Sequence, residues 1–144
     1  MIVRTVDDVE GTDRDVWAPT WESRRMVVAA DGVGFSVHDT VMYAGTDTAM
    51  WYRNHVEAVY CLEGTGTLYD VDNDRSYELG PGTMYVLDGH ERHRVVADTD
   101  LRMACVFTPP CTGQETHDPD GSYPLLTVPP TTGDGDGGPA PADR

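Results

Sequence analysis

Two short segments hold most of the side chains that could do chemistry. "NHVEAVYCLEG" (54–64) places His55 and Glu57 two residues apart, and "PGTMYVLDGHERH" (81–93) carries Tyr85, His90, Glu91 and His93. In an extended chain, residues two apart share a face. His55 and Glu57 are therefore expected to project together, as are Thr83, Tyr85 and Leu87. Carboxylate, phenol and imidazole groups on one inner face can hold a divalent cation or pass a proton. Other chemistries are closed. All ten basic residues are Arg, which removes Schiff-base and lysine general-base catalysis. Cys61, Cys105 and Cys111 have no CxxC spacing. Their odd number argues for free thiols rather than a disulfide framework or a structural zinc knot.

The elements that must carry these groups read as short strands. "GFSVHDTVMYAG", "VEAVYCLEG", "TMYVLD" and "RMACVFTP" are β-rich runs bounded by Gly, Pro and Asp, and "GTLYDVDNDRSYELG" reads as two strands around an Asp-Asn-Asp turn. No long helical period is present. Many short strands at this spacing predict an all-β sandwich or barrel. The 144 residues fit one domain, expected over 1–127. From about Val128 the chain becomes "PPTTGDGDGGPAPADR", and 128–144 reads as a disordered tail. No apolar run is long enough to cross a bilayer, and "MIVRTVDDVEGTDRD" has no signal-peptide pattern. A cytoplasmic protein is expected. The formal net charge of -15 repels phosphate backbones, so a nucleic-acid partner is not expected. The same acidity suits a salty cytoplasm.

Together the two chemical segments resemble the paired motifs of cupins, small double-stranded β-helix barrels (jelly rolls) that hold a metal. Glu57 takes the place of the motif Glu and His93 that of the motif His. Where cupins usually put paired His, this chain has Trp51 and Arg53, which cannot ligate in the usual way. Tyr85 is the best candidate for a third ligand and His55 its competitor. A Glu-Tyr-His set is a hard, mostly oxygen site suited to iron, manganese or zinc. Taken alone, Tyr85 reads as core filler, and Glu57 as an ion-pair partner of Arg53 or Arg25.

The resemblance sharpens over the whole chain. "TWESRRM", "FSVHDT", "YAGTDTAMWYRNHVEAVYCLEGTG", "PGTMYVLDGHERH" and "CVFTPPCTGQETHDPDGSYPL", in order, are similar to the ectoine synthases over roughly Met1 to Leu125. That family comprises cytoplasmic, homodimeric, iron-dependent cupin enzymes. They close N-γ-acetyl-L-2,4-diaminobutyrate into the osmoprotectant ectoine with loss of water. The resemblance implies Glu57, Tyr85 and His93 as ligands of Fe(2+), with Zn or Mn as other candidates. It implies Trp21, Arg25, Thr40, Cys105 and Phe107 as substrate-binding residues. Tyr52, His55, Glu115 and His117 become the catalytic candidates.

Each of these has a plainer reading when taken singly. Trp21 and Phe107 would be core aromatics, Arg25 a solvated charge and Thr40 a β-former. Cys105 would be a small buried apolar group, and Glu115 and His117 loop residues. His38 and His90 read as structural. Simple alternation from Glu57 puts Trp51 in phase and Tyr52 out of it, so a bulge near Asn54 is required if Tyr52 is to face the site. Two rival functions are a non-catalytic cupin that binds a small metabolite and an iron cupin oxygenase.

Overall fold

The computed structural model describes residues 1–127, and the tail expected over 128–144 lies outside them. Its ten strands are β1 (Asp15–Ala18), β2 (Trp21–Val27), β3 (Ser36–Met42), β4 (Asp47–Met50), β5 (Val56–Glu63), β6 (Gly66–Asp70), β7 (Arg75–Leu79), β8 (Met84–Leu87), β9 (His93–Ala97) and β10 (Leu101–Thr108). A one-turn helix, α1 (Val6–Val9), and a 3-10 turn at Ala29–Asp31 are the only helical elements among the described residues. All pairing is antiparallel, in a six-stranded sheet ordered β1-β2-β3-β10-β5-β8 and a four-stranded sheet ordered β4-β9-β6-β7. The two sheets face each other as the jelly-roll barrel expected for a cupin.

Alternation decides which side chains enter. In β10, Leu101, Met103, Cys105 and Phe107 are buried, while the residues between them are exposed or half-buried. In β5 the inward set is Glu57, Val59 and Cys61, and in β8 it is Tyr85 and Leu87, with Met84 and Val86 exposed. The cross-strand pairs Glu57↔Leu87, Val59↔Tyr85 and Glu57↔Phe107 fix their register. Gly64 ends β5 with φ +88, and a Cβ there would collide with the Asp100 carbonyl. No other residue type fits this turn without displacing backbone.

The expected strands are all present. The Asp-rich segment forms the β6–β7 hairpin, with Asp74 at φ 51 inside its turn. Four strands were not foreseen: β1, β2, β4 and β9. Strand β2 buries Ser23 and Arg25 as well as Trp21, so its inward face is polar and the usual alternation signal is inverted. Strands β1 and β4 have four residues each, too few to show a period. The N-terminus is tied down by charge. Arg4 and Arg14 both reach Asp31, at 2.7 and 3.2 Å, and Arg4 Nη1 also donates to the Met26 carbonyl.

Candidate active site

The barrel interior contains a cavity bounded by both sheets and by the segment that follows β10. Polar groups on its wall are His38, Thr40, Tyr52, Glu57, Tyr85, Cys105, His117 and Tyr123, and its apolar lining includes Trp21, Phe107 and three methionines. Each strand delivers its share through alternation: Thr40 from β3, Glu57 from β5, Tyr85 from β8, and Cys105 and Phe107 from β10.

Tyr52 enters differently. No bulge resets the strand. Residues 51–55 leave the sheet altogether, between the end of β4 at Met50 and the start of β5 at Val56, and Tyr52 turns inward to 3% exposure. Trp51, the residue in phase by simple alternation, stays outside the cavity. Its indole N–H donates to the His90 carbonyl at 2.8 Å, and its ring is covered by the Arg53 guanidinium. His55 is buried beside Phe107 and Tyr123 and does not line the cavity.

Glu57 and Tyr85 line this cavity, whereas His93, from β9 in the other sheet, does not; it lines a neighbouring space, with Tyr85 on the wall of both. Glu57 has no ion-pair partner among the described residues, and neither Arg53 nor Arg25 reaches it. Burial pushes its carboxyl up to about 8, partly opposed by a hydrogen bond from the Cys105 thiol. Burial likewise holds the Tyr85 and Cys105 groups well above their ordinary values, with the Glu57 charge adding to both. His93 is 1% exposed. Its Nδ1 lies 3.1 Å from the Glu91 carbonyl, and a carbonyl only accepts, so Nδ1 carries the proton. The lone pair then sits on Nε2, which is buried and has no partner. An imidazole oriented this way through its second nitrogen is the usual state of a metal ligand. Among the described residues no three His, Cys, Asp or Glu side chains group as a metal site.

A second polar group closes the cavity. Tyr52 Oη and His117 Nε2 are 2.8 Å apart. His117 stacks on Tyr123, with centroids 4.8 Å apart and planes at 22°, and meets the edge of Trp21. Burial, with the Arg25 charge adding to it, lowers His117 to about 4. Burial also holds the Tyr52 phenol well above its ordinary value. At neutral pH the pair is therefore a neutral phenol bonded to a neutral imidazole.

Arg25 and Glu115 form a layer behind this wall. Arg25 is fully buried, its Nη2 donates to the Glu115 carbonyl at 2.6 Å, and its Nη1 is 3.7 Å from the Glu115 carboxylate. That carboxylate already accepts bonds from the Thr112 amide and hydroxyl and the Gly113 amide. Arg25 Nε and Nη1, and both ring nitrogens of the adjacent His38, have no hydrogen-bond partner. The reading of Arg25 as a solvated charge is thus overturned.

The sequence reading missed two polar cavity residues, His38 and Tyr123, and the three methionines of the lining. His38 shares the inward face of β3 with Thr40, so alternation carried back from Thr40 is the signal that would have found it. Tyr123 lies in an irregular segment where no periodicity exists to reveal it.

Comparison with known proteins identifies the family. A family described as "Ectoine synthase" matches residues 1–127. The chain belongs to the ectoine synthase family. The L-ectoine synthase of Thermobifida fusca is 58% identical over 127 residues, covering 88% of this chain and 95% of that one. The L-ectoine synthase of Nocardia farcinica is 59% identical over 129 residues, covering 90% and 98%. The crystal structure of ectoine synthase from P. lautus superposes with a TM-score of 0.80 at 48% identity, covering 92% of this chain and 95% of that one. As an ectoine synthase family member the chain is a cupin-fold hydro-lyase of ectoine biosynthesis. Among the described residues no helix is long and apolar enough to cross a membrane.

Proposed function

We propose that the cavity carries out a metal-assisted ring closure of N-γ-acetyl-L-2,4-diaminobutyrate. The α-amine nitrogen forms a bond to the acetamide carbon, the carbonyl oxygen leaves as water, and the ring retains a carbon–nitrogen double bond. One observation supports the metal above all: a buried, unpartnered His93 Nε2 within a barrel that also holds an uncompensated Glu57 carboxyl. Fe(2+) is the proposed ion, with Zn or Mn as substitutes, held by Glu57, Tyr85 and His93. When bound it would supply Lewis acidity toward the acetamide oxygen.

The chain's own residues do the rest. Arg25 backs the wall, where Glu115 holds its guanidinium in place, and its charge is suited to favouring the substrate carboxylate from there rather than to touching it. We therefore move Glu115 from proton transfer to orientation. Proton transfer falls to the Tyr52–His117 pair, whose neutral imidazole can take a proton from the amine while the phenol gives or receives one. Trp21, Thr40, Cys105 and Phe107 shape the wall and exclude water, and holding the chain folded makes the closure intramolecular. His55 supports that wall from behind.

We further propose that the enzyme works as a cytoplasmic homodimer in the response to osmotic stress, taking a small-molecule substrate and no nucleic-acid partner. The test is anaerobic incubation of the acetylated diaminobutyrate with the Fe(II)-loaded protein. Appearance of the cyclic product supports the reading. Its absence rejects it, and oxygen uptake in air points to an oxygenase instead.

A further inference from the structure

His90 lies outside the cavity and is exposed, yet its backbone holds φ 53. That is the left-handed region, uncommon for a residue with a side chain and tolerated best by Asn, Asp and His apart from Gly. The conformation aims the imidazole at the loop between β4 and β5. His90 Nδ1 lies 2.8 Å from the Tyr52 carbonyl and 3.1 Å from the His55 carbonyl. Two carbonyl oxygens can only accept, so Nδ1–H donates to both. The contact is reciprocal, because the Trp51 indole N–H donates to the His90 carbonyl at 2.8 Å.

We propose that His90 is a positioning residue for the reaction. It brackets residues 51–55 so that Tyr52 meets His117 in the cavity and His55 packs against Phe107. This inference rests on the roles given above to Tyr52 and His55. No strand pairing fixes that loop, and alternation alone would point Tyr52 outward. What holds it instead is His90 on one side and the segment after β10 on the other. There Arg53 reaches Asp118 and Asp120, both at 3.3 Å, and the Arg53 amide donates to Ser122 Oγ. Trp51 and Arg53 occupy the positions at which a cupin usually carries its paired His ligands. Here both positions serve the bracing of the loop. The neighbouring Glu91 carbonyl orients His93, so one short turn sets both a candidate ligand and the proton-transfer loop.

The test separates the imidazole from the backbone strain. His90→Gly accepts φ > 0 without a donor, and His90→Asn accepts it while restoring an N–H. Steady-state kcat and KM are measured on folded, metal-loaded protein whose metal content is checked directly. His90→Gly is expected to lose about tenfold or more in kcat/KM, since sub-ångström placement carries such penalties, at unchanged metal content. His90→Asn is expected to stay within about threefold of wild type. In a Tyr52→Phe/His55→Gln background, His90→Gly should cost far less, because nothing remains for it to position. Wild-type kinetics in His90→Gly, equal impairment in His90→Asn, or an undiminished cost in that background would each overturn the proposal. If Tyr52→Phe and His55→Gln are themselves fully active, the site reading fails, and that failure shows in the single variants before His90 is touched.

Discussion

A carboxyl buried without a counter-charge is costly, and Glu57 is such a group. Its rise to about 8 and the unpartnered Nε2 of His93 are the two observations behind the proposed cation. Glu57→Gln and His93→Ala are each expected to abolish bound metal, read by metal analysis of the purified protein, while the fold persists. Retention of stoichiometric metal in either would remove these residues from the ligand set. Tyr52→Phe deletes one hydroxyl and should lower kcat by roughly 10–100-fold with a smaller change in KM. The depressed His117 value has a stability consequence. A base whose folded value, about 4, lies below its unfolded one stabilises the fold fully above about pH 6.5. That contribution is lost as pH falls from there toward 4. His117→Asn should flatten the loss of melting temperature across this window, relative to wild type.

At the scale of elements, regular strands place Thr40, Glu57, Tyr85, Cys105 and Phe107; Tyr85 was legible because alternation is a property of the local chain, Glu57 through its motif, and the other three only through the family resemblance. Tyr52, His117 and Tyr123 sit in segments without strand pairing and depend on long-range contacts. In the segment after β10, Gly121 lies against the end of β4, and its carbonyl accepts from the Trp51 amide at 2.9 Å. Its φ is +78, and a Cβ there would lie 2.6 Å from the Ala49 carbonyl. Gly121→Ala is therefore expected to cost about 1–3 kcal/mol and to lower kcat/KM, because the displaced segment carries both His117 and Tyr123. Calorimetry beside kinetics checks this. The Asp31 clasp ties the N-terminal segment to the barrel. Arg4, the Val28 amide and Arg14 hold its carboxyl well below the usual carboxylate range. A depressed acid stabilises above its unfolded value, near 4, and loses that contribution as pH falls below it. Asp31→Asn should thus destabilise at pH 7, by about 1–3 kcal/mol, and matter progressively less on acidification below pH 4.

For the molecule as a whole, a net charge of -15 sets a self-repulsion that salt screens over about 10 Å at 0.1 M. The melting temperature is expected to rise between low salt and 0.5 M NaCl, and indifference to ionic strength would count against adaptation to a salty cytoplasm. The family match ends at residue 127. Removal of 128–144 is accordingly expected to leave turnover unchanged, which a truncated protein assayed beside the full chain would decide.

The sequence alone determined the all-β class, the shared face of Tyr85 and Leu87 and the segments that carry the chemistry. These follow from period-two alternation, Gly and Pro punctuation and residue type, all readable within a few positions. It also placed the chain among the ectoine synthases, through ordered segments spread along its length. Only the tertiary structure decided how the groups divide the work. It put Arg25 and Glu115 behind the cavity wall and added His38 and Tyr123 to it. It also turned Tyr52 inward through a loop held by His90. Those outcomes depend on which segments meet across the barrel, and no local pattern encodes a hydrogen bond between residues 52 and 117.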